Sequence, residues 1–196
     1  LFPGQLLPLH IFEPRYKQMI GECIQHGRPF GVVLIRSGEE TILVDTGSGT
    51  YLGPTAGHVI ANLKACGVEP AQIDAVLLTH NHYDHLDHST LWNIEKRWAP
   101  QFIMPLGVDH TLRRGKKQVS RFTTMDWGQN TALGAVHVHA VPTYHWSARG
   151  TGDRRKTLWC SFVITSSTGT VYHIGDTGYG AGEFSKQVAK DFGFID

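Results

Sequence analysis

The stretch Ala75-Val76-Leu77-Leu78-Thr79-His80-Asn81-His82-Tyr83-Asp84-His85 sets four consecutive apolar residues against a loop carrying three imidazoles and a carboxylate. The apolar run reads as a short buried strand. Histidine and aspartate supply the nitrogen and oxygen donors that suit Zn²⁺ or a similar first-row ion. A turn leaving the carboxyl end of a strand can aim His80 and His82 at one ion, which leaves Asp84 and His85 facing a second position. Two ions roughly 3.5–4 Å apart would clamp the attacking and leaving oxygens of a displacement, with a bridging hydroxide as nucleophile. The competing reading is a solvated loop that happens to be rich in histidine. It is disfavoured because such ligand types rarely cluster without a metal.

Working upstream, Thr41-Ile42-Leu43-Val44 reads as a strand ending at Asp45, and Thr46-Gly47-Ser48-Gly49 reads as its loop. From Thr55 to Cys66 the apolar positions Val59, Leu63 and Cys66 recur at helical spacing, with Gly67 as the stop and Pro70 preventing continuation. This is strand, helix, strand, with the ligands at the carboxyl end of the second strand, where sites in α/β folds commonly sit.

Downstream, Leu91, Ile94 and Trp98 share a helical face before Pro100, and Gln101 to Leu106 reads as another strand. Ala135 to Val141 alternates, so that His137, His139 and Val141 share one face and Val136, Val138 and Ala140 the other. Thr157 to Thr165 and Thr170 to Ile174 bracket Ser166-Ser167-Thr168-Gly169 as a hairpin. The second strand of that hairpin runs into Gly175-Asp176-Thr177-Gly178-Tyr179, a further acidic residue in a glycine-rich turn.

The chain has 196 residues, 41% hydrophobic and 18% charged, enough for one domain plus a small appendage. No run approaches the ~20 apolar residues that cross a bilayer. A formal charge of +1 argues against an electrostatic nucleic-acid surface. The basic cluster Arg113-Arg114-Gly115-Lys116-Lys117 reads as a solvated turn. Cys23, Cys66 and Cys160 are widely separated and odd in number, as expected for reduced core thiols of a cytoplasmic protein, and no signal peptide is visible.

The loop His80 to His85 resembles the His-x-His-x-Asp-His signature of the metallo-β-lactamase superfamily, and Leu43 to Gly49 resembles that superfamily's first motif. From about His80 onward the chain is most similar to the N-acylphosphatidylethanolamine-hydrolysing phospholipase D group. The matching pieces are His80 to Asp87, Pro142-Thr143-Tyr144-His145-Trp146-Ser147-Ala148-Arg149, Leu158-Trp159, and Gly175 to Tyr179. The resemblance implies an α/β (α+β) fold, an αββα sandwich. It implies that His80, His82 and His145 hold a first metal, that Asp176 bridges to a second, and that Asp84 and His85 serve that second metal. Catalysis would then fall to Asp84 and Asp176, with one or two Zn²⁺ as cofactor. Asp45 is expected to orient the loop rather than to bind metal.

The superfamily normally supplies one more histidine to the second metal from a later strand. No such segment precedes Phe192-Gly193-Phe194-Ile195-Asp196, so the domain is expected to be truncated at its C-terminus and its second site weak. His88, His173 or a histidine of another subunit could substitute, although a strand histidine such as His173 more often packs in a core.

The front of the chain resembles something else. Leu1 to Gly4, Pro8 to Tyr16 and Phe30 to Ile35 are similar to the start of the Lon-protease N-terminal domain. Pro14 opens a helix whose Tyr16, Met19, Ile20, Cys23 and Ile24 form one apolar stripe, and Gly27 closes it. The expectation is a mosaic: a Lon-like β-α-β segment over 1–38 and a hydrolase domain over 39–196. At the seam, Gly31 to Ile35 is a strand, Arg36 to Glu40 a turn, and Thr41 to Val44 the next strand.

The function expected is hydrolysis, in which a metal-bound hydroxide attacks an ester, above all a phosphodiester of a small molecule or lipid. A lipid would bring peripheral membrane contact. Trp146, Trp159 and Tyr179 could line an apolar pocket, and a homodimer could cover an open strand edge. Lactone, thioester or β-lactam hydrolysis is the alternative within the fold. A metal-stabilised binding protein, or an inactive mosaic, is the alternative outside it.

Overall fold

The computed structural model describes residues 33–37, 39–51, 58–113 and 119–193. The expected helix from Pro14 to Gly27 lies outside them, as does Cys23. The elements are β1 (Val33–Ser37), β2 (Glu40–Val44), α1 (Val59–Ala65), a 3₁₀ turn (Pro70–Gln72), β3 (Ala75–Leu77), α2 (His88–Trp98), β4 (Gln101–Pro105), α3 (Val108–Leu112), β5 (Phe122–Met125), β6 (Asn130–Leu133), β7 (Val136–Val141), β8 (Ser161–Ser166), β9 (Gly169–His173) and α4 (Glu183–Phe192). Five strands pair in the order β1-β2-β3-β4-β5 and four in the order β6-β7-β8-β9. The first sheet is parallel from β2 to β5 and the second is antiparallel throughout.

The period of two along each strand builds the layers. Ile42, Val44, Leu77 and Ile103 face the second sheet and pack on Val136, Val138, Ala140, Phe162 and Ile164. Their neighbours Leu43, Val76, Phe102 and Met104 face the other way, onto Val59 and Leu63 of α1, Leu91 and Ile94 of α2, and Val108 and Leu112 of α3. On the far side of the second sheet, Val141 and Val163 pack under Val188 of α4. Helix, sheet, sheet, helix is the expected αββα sandwich.

The hairpin at the seam is present: Val33 pairs with Val44 and Ser37 with Glu40, antiparallel. Strand β1 continues through Arg36 and Ser37, so the turn is shorter than expected. The strand expected from Thr157 starts at Ser161. The thiols need a correction. Cys160 is a buried core thiol, but Cys66 is exposed. Helix α1 ends at Ala65, and Cys66 caps it with φ −86° and ψ 8°, which turns it off the apolar stripe; Val68 takes the buried place.

Candidate metal centre

The centre forms where the carboxyl ends of β2 and β3 meet the loops after β7 and β9. Parallel pairing of β2 with β3 carries both chain exits to one edge, where the Asp45 amide donates to the Leu77 carbonyl at 2.8 Å. Asp45 then turns into the left-handed region, at φ 59°. From there its carboxylate accepts from the Thr79 amide (2.8 Å) and the Thr79 hydroxyl (2.8 Å), and lies 2.7 Å from His85 Nδ1. The Thr79 hydroxyl, having donated its proton to Asp45, is left as an acceptor for His80 Nδ1 at 2.9 Å. Thus one carboxylate orients two imidazoles and turns both Nε2 atoms outward; His80 presents a lone pair there, and His85 does so once its Nε2 proton is lost. Asp45 itself belongs to neither donor group and contacts them through Thr79 and His85.

Nε2 of His80, Nδ1 of His82 and Nε2 of His145 converge, with separations of 2.8, 3.1 and 3.1 Å. Donors about 2.0–2.1 Å from one tetrahedral ion stand about 3.3 Å apart, so the trio fits a first-row cation to within a few tenths of an ångström. Burial, helped by neighbouring His85, lowers the pKa of His80 to about 3, and burial lowers those of His82 and His145. All three are neutral at pH 7, as ligands must be.

Asp176 Oδ2 lies 3.6 Å from His145 Nε2 and 3.3 Å from His85 Nε2. His80, His82, His145 and Asp176 make one donor group, and Asp84, His85 and Asp176 make a second. These are the six residues singled out in the sequence, divided as expected, with Asp176 common to both. Asp84 Oδ2 is 3.5 Å from His85 Nε2. Burial opposes charge on His85, but hydrogen bonds to the carboxylates of Asp176, Asp45 and Asp84 outweigh it and push its pKa up to about 12. Those bonds lower Asp84 to about 2 and depress Asp176 as well.

The two histidines considered as substitutes do not join either group. His88 places Nε2 2.8 Å from the Thr111 carbonyl and Nδ1 3.3 Å from Arg149. His173 sits on β9 beside the second group, with its pKa lowered by burial. Of the aromatic residues, Trp146 packs edge-on to His82 at 4.3 Å. Trp159 instead donates to the Thr143 carbonyl at 3.0 Å and so steadies the strand exit before His145. Tyr179 is 66% exposed. Thr79 was overlooked in the sequence; its signal was a hydroxyl immediately before the first ligand.

Residues 40–195 match the model of a beta-lactamase superfamily domain, and residues 1–78 match that of the substrate-binding domain of the ATP-dependent protease La (Lon). The two matches share residues 40–78. An N-acyl-phosphatidylethanolamine-hydrolyzing phospholipase D of Saccharomyces cerevisiae, mitochondrial, is 34% identical over 133 residues, 65% of this chain and 27% of its own. A metal-dependent hydrolase of Pyrobaculum neutrophilum is 31% identical over 140 residues, 70% of this chain and 54% of its own. Among solved structures, the metallo-beta-lactamase fold protein YhfI of Bacillus subtilis superposes with a TM-score of 0.52 at 21% identity, covering 73% of this chain and 53% of that one, a likeness of fold alone. The diiron beta-hydroxylase CmlA of Streptomyces venezuelae gives a TM-score of 0.61 at 25% identity, covering 84% and 31%. The chain thus spans between about a quarter and a half of the curated relatives' length.

Proposed function

The chain belongs to the beta-lactamase superfamily, and from that premise we propose that it is a metal-dependent hydrolase acting on esters, with phosphodiesters as the substrate class. The observation that carries this reading is the convergence of three neutral imidazole nitrogens on one point, with a carboxylate oxygen shared by a second group. His80, His82, His145 and Asp176 would hold the first ion, and Asp84, His85 and Asp176 the second. With four donors against three, the first position should bind more tightly. A divalent first-row ion there supplies a nucleophile at neutral pH by lowering the pKa of its water, and polarises the scissile group.

The protein's own groups do the rest. Asp45 holds His80 through Thr79 and holds His85 directly, so that Nε2 of each faces the donor groups. Asp176 ties the two positions together. Asp84, ionised well below neutral pH and with its side chain 56% exposed, is placed to accept a hydrogen bond from the attacking water and orient it. Likeness to the yeast phospholipase D supports a phosphodiester. The exposed Tyr83, Tyr144 and Tyr179 stand in the loops that carry the donors, and exposed Tyr51 stacks on Tyr83 at 4.4 Å, an amphipathic rim suited to a lipid headgroup region and to peripheral membrane contact. Among the described residues no helix is long and apolar enough to cross a membrane.

Zinc is the proposed ion, and iron is the alternative that the same imidazole and carboxylate donors accept. Metal analysis of the purified protein, with a panel of phosphodiester, lactone, thioester and β-lactam substrates, tests the reading. Protein that contains no metal and cleaves no member of the panel would refute it. The Lon-like match favours a second reading, recognition of exposed protein segments, for which peptide binding should survive chelation.

A further inference from the structure

The two halves of the metal centre come from different sheets: His80, His82, Asp84 and His85 follow β3 of the first, and His145 follows β7 of the second. Each half needs the other within tenths of an ångström, because a ligand trio cannot tolerate more. We infer that Arg149 is the positioning residue that laces them together, an inference resting on the metal-centre reading above. Four residues after His145, its Nη1 donates to the carbonyls of Leu86 (2.7 Å), Asn81 (3.3 Å) and His82 (3.5 Å), all within or beside the ligand loop. Nη2 lies 3.3 Å from His88 Nδ1 at the start of α2. The guanidinium also stacks 3.9 Å above the ring of Tyr83. Tyr83 returns the link by donating its hydroxyl to the Arg149 carbonyl at 2.7 Å.

Arg149 is itself held. Its amide donates to both carboxylate oxygens of Asp153, at 2.8 and 3.1 Å, and the Gly150 amide adds a third bond to Asp153 at 2.8 Å. The fork is therefore rooted in the His145 loop and directed into the other one.

What arginine offers is planar, multiple donation together with a stacking face, which lysine lacks.

The test uses the whole chain. Zinc affinity is measured by chelator competition, the visible spectrum of the Co²⁺-substituted protein reports ligand geometry, and thermal melting of the metal-free protein reports the fold. For Arg149→Ala we expect affinity about 10–100-fold weaker and an altered Co²⁺ spectrum. Arg149→Lys, which keeps the charge but replaces the planar fork by a single ammonium, should recover only a minor part. Tyr83→Phe, which removes the return bond alone, should shift affinity in the same direction by less; these two variants carry the test should Arg149→Ala fail to fold. A folded Arg149→Ala or Arg149→Lys protein with wild-type affinity and spectrum overturns this inference alone. Wild-type protein that binds no metal overturns it together with the hydrolase reading.

Discussion

At Asp45 the backbone adopts φ 59°, a conformation that costs a residue with a Cβ about 1–2 kcal/mol, less for aspartate than for most. The return is three carboxylate contacts on Thr79 and His85. Asp45→Asn keeps the size but offers one acceptor oxygen instead of two. It should cost about 1–3 kcal/mol by leaving buried partners unpaired, read from denaturant midpoints, and should weaken metal binding in a chelator titration. The titrations run in opposite directions. His80, lowered from 6.5 to about 3, stays neutral in the folded protein while the unfolded chain takes up a proton. Metal-free stability should therefore fall as pH drops from 6.5 toward 3. His85, raised from 6.5 to about 12, adds stability that is complete below 6.5 and lost as pH rises toward 12. An ion entering the second group must expel that proton. Affinity at the second group should therefore rise as pH rises from 6.5 toward 12; an affinity there that does not change with pH would contradict the assignment.

The elements show where a sequence pattern is strong enough to read. In α2, Leu91 and Ile94 are fully buried and Trp98 packs at the rim, as their helical spacing foretold. In β7, Val136, Val138 and Ala140 are buried while His137 faces solvent, as the alternation foretold. Short elements carried no such signal. Strand β6 (Asn130–Leu133) and helix α3 (Val108–Leu112) are too brief for a period to show, and tertiary pairing makes them. Asp87 illustrates a cap that serves two elements. It accepts from the Thr90 amide at 2.7 Å to start α2, and a Cβ on Gly49 would lie 2.3 Å from its carboxyl carbon. Asp87→Ala should cost about 1 kcal/mol through the lost cap. Gly49→Ala should cost more, since Gly49 also sits at φ 54°. Chemical denaturation of both variants checks the order, and a milder Gly49→Ala would show that the loop gives way freely.

At the scale of the molecule, two cores lie back to back across the first sheet, and the centre straddles the edge where both sheets present their exits. Donors drawn from both sheets would make a bound ion a cross-link between layers. Metal at a hundredfold excess over its Kd should add about 2.7 kcal/mol and raise the melting temperature by about 5–10 °C; a melting curve indifferent to chelator would exclude such a site. The Lon-like and hydrolase-like matches share residues 40–78, which start at β2, while β1, paired residue for residue with β2, lies in the Lon-like match alone. Any division of the chain there cuts through one continuous sheet. By itself, the sequence determined the donor cluster: His80, His82, Asp84 and His85 are close in the chain, so their grouping is written in local spacing. It also determined the layers, because strand alternation and helical stripes are local periods. Only the tertiary structure decided that His145 Nε2 and Asp176 Oδ2 meet that loop, that Thr79 relays Asp45 to His80, and that Arg149 reaches across the two sheets. Those contacts join residues far apart in the chain, and the register and packing of two sheets, which no local pattern encodes, bring them together.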